Sequence, residues 1–467
     1  MRRFKWNIRY RSENIRKIKK NFNFINNFFL CFWILIFAFI ALNSIKLSSK
    51  ILFGFIVFMI SILQILKNWK HFIFSFFIIL FLILFFIIKN KIDSAQFVDR
   101  NIENIEARIF KKENKYYILS TKKYGNLLLW RNNINFNFFI DDSLWFSSKL
   151  QNLENDKLLF FYKSNKINYI INNFQLLKIN SCNNSVHNVF YKFIENKPEY
   201  FKKYFSLILF SYQLEEFNIK TKISDLNIIH LIAISGMHFN LLYKIIYSLF
   251  YKIKNQNLKN NLTIWILFYY LIFIKSFISA FRAFIMIIWK LKTKELNKKT
   301  NLLDSLSISA IFVFIFNPYC VFSYSFIFSF LISFFILIFN SIFKNLNINK
   351  YLKWFIFLLM IYIFISRMSI YVNKNLNIFG IFWILIFSPI FELLFSISIA
   401  FFYNFNLLNF LYMGLEKILN FAYKNSYFLN FENIKIEYLY LYYALFFSLF
   451  LYLFYKTNKQ IKQNIKI

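Results

Sequence analysis

The sequence predicts a polytopic α-helical membrane protein of about ten transmembrane segments, some broken or re-entrant, with a small inserted β-barrel. The chain has 467 residues, of which 58% are hydrophobic, and its mean hydropathy is +0.47. Apolar runs close to the length of a bilayer crossing recur along it. A polar stretch with alternating apolar residues interrupts these runs after the third one. Together these features exclude an ordinary soluble globular protein.

The apolar runs divide the chain into regions. They occupy 28–42, 51–66, 72–88, 229–250, 262–288, 302–317, 321–340, 354–371, 378–403 and 438–455. The predicted regions are a basic cytoplasmic N-terminus (1–24), three transmembrane helices (25–90), an outer barrel domain (91–185), an amphipathic helical linker along the membrane surface (186–228), a transmembrane domain (229–455) and a basic cytoplasmic tail (456–467). The positive-inside rule assigns both basic ends to the cytoplasm.

The barrel is predicted from period-two alternation. Ile105, Ala107 and Ile109 interleave with charged residues, and further short runs follow at Tyr116–Leu119, Leu127–Trp130, Phe136–Ile140 and Leu144–Phe146. About five strands in this length are typical of a small barrel, for which an OB-fold is one candidate. Alternation alone does not distinguish an OB-fold from another barrel or sandwich.

Two of the apolar runs are predicted to be broken. The run 262–288 is too long for one helix and contains Lys275 and Ser276, so we expect a pair of short or re-entrant helices there. A hairpin also puts the basic loops 251–260 and 290–299 on one side of the membrane, as the positive-inside rule requires. Pro389 is expected to interrupt 378–403 in a similar way.

The net charge and the cysteine content do not identify a binding partner. The formal net charge is +36, and such an excess usually indicates an anionic partner. The chain is also rich in Phe, Lys, Asn and Ile and has five glycines, which indicates an AT-biased genome and weakens that argument. The three cysteines are scattered, and no metal-ligand spacing or disulfide framework is readable. No cofactor is expected.

The chemistry-bearing residues concentrate at 230–238, which reads His230-Leu-Ile-Ala233-Ile-Ser235-Gly236-Met-His238. Polar groups in an apolar segment usually line a cavity or a path. The histidine spacing does not suit zinc, which favours i, i+4 pairs. An alternative is that both rings are satisfied within a packed bundle, and that Ser235-Gly236 serves close helix packing.

The motif closely resembles the His-Leu-Leu-Ala-Ile-Ser-Gly-Leu-His signature of the ComEC family of bacterial competence channels. A second stretch, around Arg282, Ala283 and Met286, is similar to the Pro-Ser-x-x-Arg-Ala-x-x-Met of that family. Asn317, Pro318 and Ser329 fit its Asn-Pro … Gly-Phe-Gln-Leu-Ser-Phe-Leu pattern, although Ile327 replaces the Gln. The resemblance covers roughly residues 30–400. The metallo-β-lactamase-like domain that many members carry is expected to be absent, so no enzymatic activity is expected.

The resemblance implies a multi-pass channel in the bacterial inner membrane that takes up single-stranded DNA during natural transformation. The partners would be single-stranded DNA and membrane lipid, with a DNA receptor outside, an ATP-driven motor inside and a second copy of the chain as further candidates. A strand needs a polar or cationic lumen and stacking surfaces. His230, Ser235, Gly236, His238, Arg282 and Lys275 are the path candidates, with Arg282 as the first choice for a phosphate contact. Ala233, Ala283, Met286, Asn317, Pro318 and Ser329 would be structural.

Two other functions remain open from the sequence. Ala-Ile-Ser235-Gly236 resembles the Gly-x-Ser-Gly of rhomboid-type intramembrane serine proteases, in which a histidine activates the serine. The chain could also be a degenerate membrane protein with little activity, since its composition has drifted toward residues with AT-rich codons.

Overall fold

The computed structural model describes a barrel followed by a helical bundle. The described residues are 77–78, 80–82, 84–89, 100–113, 115–131, 136, 138–151, 153, 159–182, 186–212, 219–232, 236–274, 277–296, 302–344, 349–431 and 442. The predicted N-terminus, the predicted runs 28–42 and 51–66 and the predicted tail lie outside them, as does nearly all of 438–455.

The five strands of the barrel form one closed sheet. They are β1 (Arg100–Lys112), β2 (Tyr116–Thr121), β3 (Gly125–Trp130), β4 (Ser143–Gln151) and β5 (Ile167–Asn180). The order around the barrel is β1-β2-β3-β5-β4, and the pairing of β4 with β1 closes it. The β3–β5 pair is parallel and the other pairs are antiparallel. The prediction of a small five-stranded barrel is therefore confirmed.

In β1 every second residue faces the barrel core, as the sequence predicts, and Ile105, Ala107 and Ile109 are buried there. The predicted strand at Phe136–Ile140 is wrong, because its described residues lie in the loop before β4. Asp142 accepts a hydrogen bond from the Phe139 N–H at 2.8 Å, and Asp141 has a φ of 75°. Such a local side-chain bond competes with strand pairing. The fifth strand is β5 instead.

The helices follow the barrel, apart from one that precedes it and one inside it. They are α1 (Leu80–Lys89), α2 (Leu159–Ser164), α3 (Val186–Glu195), α4 (Glu199–Phe210), α5 (Ile219–Asp225), α6 (Ile229–Ile232), α7 (Gly236–Leu249), α8 (Gln256–Phe273), α9 (Phe277–Glu295), α10 (Leu302–Phe316), α11 (Tyr324–Lys344), α12 (Lys350–Asn373), α13 (Gly380–Ala400) and α14 (Phe405–Lys424). A 3₁₀ helix, Pro318–Phe322, joins α10 to α11. Short strands β6 (Asn375–Asn377) and β7 (Phe428–Asn430) pair and bring the start of α13 to the end of α14.

Three helical stretches among the described residues are long and apolar enough to cross a membrane: Ile229–Leu249, Tyr351–Tyr371 and Gly380–Ala400. They fall on predicted runs, but the predicted count of about ten crossings is not confirmed. The run 262–288 does contain a break, between α8 and α9, and the two helices are longer than expected. Pro389 does not interrupt α13; the prediction of a break there is wrong. The proline lies on an exposed side of the helix, and helices that cross membranes tolerate an internal proline.

Two hydrophobic clusters form the core of the bundle. The larger cluster contains buried residues of α4, α7, α9, α13 and α14, and the other is built mainly from α10 and α11. Helix α9 contributes to both, because Ala283 and Phe284 belong to the first while Met286 packs against the second. The stretch 186–228, for which the sequence predicts a surface linker, includes α4, and six of the seven buried residues of α4 belong to the larger cluster.

Candidate functional site

The first two motif segments meet at Gly236 of α7. A Cβ atom placed on Gly236 would lie 3.2 Å from Nη2 of Arg282 and 3.9 Å from the Cβ of Ala283. A contact of 3.2 Å is tighter than a side chain ordinarily allows, so the missing Cβ lets α7 approach α9. The two motifs, far apart in sequence, therefore form one local site.

Arg282 ties α9 to α11. Its Nη1 donates to the backbone carbonyl of Ser329 and to the hydroxyl of Ser333, and the Ser333 hydroxyl in turn donates to the Ser329 carbonyl at 2.7 Å. Ser329 and Ser333 are four residues apart, so they share one face of α11. The guanidinium carbon is 5.8 Å from the ring centroid of Phe330. Neutral oxygens and an aromatic face therefore surround the cation.

The burial of Arg282 leaves polar atoms without partners. The residue is 6% exposed, and its Nε makes no hydrogen bond. The side-chain hydroxyl of Ser329 is also buried and unbonded. No carboxylate pairs with Arg282 in the part of the chain that the structure describes. A buried charge is usually paired, because removing it from water costs free energy.

The two histidines occupy different surroundings. His238 is buried in α7, with its ring centroid 4.8 Å from that of Phe395 on α13. His230 is half-buried in α6. Ser235, between them, lies outside the described residues, as do Ala233 and Lys275. The structure therefore brings Gly236, Arg282 and Ser329 together, and His238 follows Gly236 two residues later on α7.

The other family-motif residues have structural surroundings. Asn317 caps the 3₁₀ helix, since its side chain accepts a hydrogen bond from the Tyr319 N–H at 3.3 Å, and Pro318 is the first residue of that helix. Ala283 is buried and Met286 is half-buried. Ser333 was missed in the sequence. Its spacing of four from Ser329 was the signal that could have identified it.

A polar contact that the motifs do not include joins α4 to α14. The Lys203 ammonium lies 2.6 Å from one carboxylate oxygen of Glu416 and 2.5 Å from the other, and the Tyr204 hydroxyl donates to Glu416 at 3.2 Å. The two charged side chains are 12% and 17% exposed. The side chain of Asn409 accepts from the Phe201 N–H at 3.1 Å. These contacts fix α4 within the bundle.

The barrel offers two surfaces. A concavity of about 1050 Å³ lies along β1 and the β2–β3 turn, with mixed charge that includes Glu106, Arg108 and Lys123. Phe110 lines this concavity and is 65% exposed, and Phe136, elsewhere on the barrel, is 53% exposed. Exposed rings near cations are the elements that single-stranded nucleic acid stacks on. The barrel also contacts the bundle, since α2 packs on the 3₁₀ helix. Burial lowers the pKa of Lys163 in α2.

The comparisons with known proteins agree with the motif. The family model described as "Competence protein" matches residues 213–456, which is more than half of the chain. The chain belongs to the competence protein family. Membership indicates a membrane protein with a role in DNA uptake during transformation. A protein named "Uncharacterized protein MG316" from Mycoplasma genitalium is 27% identical over 311 residues, covering 64% of this chain and 78% of that protein. No solved structure matches.

The described residues show no group of three or more His, Cys, Asp or Glu side chains that could hold a metal ion.

Proposed function

We propose that this competence-family chain is an inner-membrane channel through which single-stranded DNA enters the cell. The observation that carries the proposal is the contact between Gly236 and Arg282, because it joins the two family motifs around one cation. His230, Ser235, His238 and Lys275 would line the same path. A cation at membrane depth is a functional feature by default, since hydrocarbon disfavours it.

The arrangement of the helices supports an outer barrel. The side-chain amide of Asn260 at the start of α8 donates to Glu295 at the end of α9 at 3.4 Å, so both neighbouring basic loops share one end of the bundle. The rings of Phe277 and Phe316 are 5.4 Å apart, so α10 ends at the opposite end. The 3₁₀ helix follows there, with Lys166 of the barrel over the ring of Tyr319. The positive-inside rule then favours a cytoplasmic location for the basic loops and an external one for the barrel.

The barrel would receive the strand before it reaches the bundle. Its strand order and parallel β3–β5 pair are compatible with an OB-like module, a class that binds oligonucleotides. Its exposed Phe110 and Phe136 would stack bases, and Lys112, which lies 5.0 Å from the ring of Phe139, would add charge. A receptor outside, a motor inside and a second copy of the chain are the further partners of this proposal.

The test is uptake of labelled DNA in a strain that lacks the chain. Wild-type protein should restore DNase-resistant uptake, whereas Arg282→Gln should not. Arg367→Gln is the matched control, because it removes the same charge from an exposed position on α12. Normal uptake without the chain would contradict the proposal. Full restoration of DNA uptake by the Arg282→Gln protein would contradict the assignment of Arg282 to the DNA path.

A further inference from the structure

The Asn317-Pro318 motif has no role in the proposed DNA path, although it builds a well-defined element after α10. The Asn317 side chain accepts a hydrogen bond from the Tyr319 N–H at 3.3 Å, and the Asn317 carbonyl accepts one from the Cys320 N–H at 3.1 Å. Pro318 is the first residue of the 3₁₀ helix, and its ring fixes φ there. These constraints hold the Tyr319 side chain in one place.

Two segments connected to the barrel meet at Tyr319. The ring centroid of Phe86 in α1, the helix that precedes the barrel, lies 5.8 Å from that of Tyr319. Lys166, in the turn after α2, places its ammonium 5.2 Å from the same centroid. Tyr319 itself is 6% exposed and belongs to the cluster of α10 and α11. One ring of the bundle therefore contacts both the helix that leads into the barrel and a turn inside the barrel.

Lys166 is held rigidly by the barrel. Its turn is fixed to two strands, because Asn126 of β3 donates to the Asn165 carbonyl at 2.9 Å and Lys111 of β1 donates to the Asn165 side chain at 3.3 Å. Tyr162 of α2 is buried in a small core with residues of β2, β3 and β5. Lys166 has a φ of 54°, a backbone conformation that lysine rarely adopts. Uncommon conformations that neighbouring groups hold in place are often found at functional positions.

We propose that Tyr319 is the seat on which Lys166 docks the barrel, and that the Asn317-Pro318 motif serves to build this seat. The proposal rests on the channel function, since the seat would hold the barrel where a captured strand passes into the bundle. Tyr319 is a positioning residue, because it acts through the barrel and not by touching DNA. A lysine ammonium within about 6 Å of an aromatic centroid is attracted by the face of the ring, more strongly where water is excluded.

The contact is tested on purified full-length protein in detergent by brief acetylation with N-hydroxysuccinimidyl acetate and mass spectrometry of each lysine. Replacing Tyr319 by 3,4,5-trifluorophenylalanine keeps the shape of a ring but weakens the negative potential of its face. Acetylation of Lys166 should then be about fivefold faster than in Tyr319→Phe. Lys178 is the matched control, because its ammonium lies 5.8 Å from the ring of Trp145 within the barrel and should not respond.

Equal acetylation of Lys166 in the fluorinated protein and in Tyr319→Phe would overturn the seat, because a ring that only fills space does not sense fluorination. Both proteins keep an aromatic ring at this position, so the comparison does not depend on a variant that leaves a cavity in the bundle. A rise at Lys178 equal to that at Lys166 would also overturn the seat, since it would report a general loosening of the protein.

DNA uptake by cells tests the purpose of the seat. Lys166→Asn removes the cation but keeps a residue type that tolerates left-handed backbone, and it should lower DNase-resistant uptake at least fivefold at equal protein level. Lys166→Arg retains a cation and should retain uptake. In the protein with the fluorinated ring, Lys166→Asn should cause no further loss, because its partner is already weakened. Losses that multiply would mean that Lys166 acts elsewhere and would overturn the seat.

The seat and the channel can fail separately. Fluorination-dependent acetylation of Lys166 together with normal uptake in cells that lack the chain supports the docking contact and overturns the channel. Loss of uptake in cells that lack the chain, together with normal uptake by Lys166→Asn and acetylation that ignores fluorination, supports the channel and overturns the seat.

Discussion

The Lys203–Glu416 pair should hold α4 against α14, and its loss should be measurable. Replacing Lys203 by Met leaves the Glu416 carboxylate with the Tyr204 hydroxyl, in a site where the two charged side chains are 12% and 17% exposed. Breaking a fully buried pair costs about 3–5 kcal/mol, and we take the lower end, about 3 kcal/mol, because these groups are partly exposed. That corresponds to roughly a hundredfold change in the opening equilibrium of α4.

Amide hydrogen exchange of the segment 199–210 in detergent measures this opening. Lys203→Met should raise exchange there by up to about a hundredfold, while exchange in the barrel should not change. Lys417→Met is the matched control, because it removes a lysine from an exposed position next to Glu416 on the same helix. Lys203→Met combined with Glu416→Gln should lose less than either single change, since no unpaired charge remains. Additive losses in the double variant would refute the reasoning.

Three further changes test local features. Gly125→Ala should destabilise the β2–β3 turn by about 1–2 kcal/mol from backbone strain alone, because φ is 70° and the new Cβ would lie 2.4 Å from Nδ2 of Asn168; exchange of β2–β3 amides measures this loss. Gly380→Ala should lower the thermal midpoint by an overpacking loss of about 1–3 kcal/mol, because its Cβ would lie 2.8 Å from the Tyr362 ring, and Tyr362→Leu in the same chain should restore part of it. Ser235→Ala should retain most DNA uptake, whereas complete loss of function would favour the protease.

The barrel shows how far alternation predicts a fold. Period-two burial identified β1, because Ile105, Ala107 and Ile109 face a core that the other strands complete. The same criterion did not identify β5, because its sequence contains several asparagines and most residues of its C-terminal half are exposed. That strand is held by pairing with both β3 and β4, which the sequence of one segment does not reveal.

The candidate site divides in a similar way. The motifs marked Gly236 and Arg282 as important. The spacing of four from Ser329 could have marked Ser333 as well, but only the fold shows that Arg282 of α9 reaches it. The burial of α4 in the bundle could not be predicted from the sequence either. Its lysines suggest a surface helix, whereas one of them, Lys203, is neutralised by Glu416 from a helix 213 residues later in the chain. Tertiary partners of this kind decide burial, and local composition does not report them.

Glycine is the most informative residue type in this chain because it is rare. Codon drift toward AT-rich residues disfavours glycine, and five remain among 467 residues. Of the four that the structure describes, Gly414 has open space around it, and the other three are positions where a Cβ would meet a neighbour within 3.2 Å. Gly236 is one of these three, and its neighbour is the guanidinium of Arg282. Since an alanine there would press on the cation, the glycine and the arginine are best understood as one unit, and Gly236→Ala should impair the same step as Arg282→Gln in the uptake assay. Uptake unaffected by Gly236→Ala but abolished by Arg282→Gln would separate them.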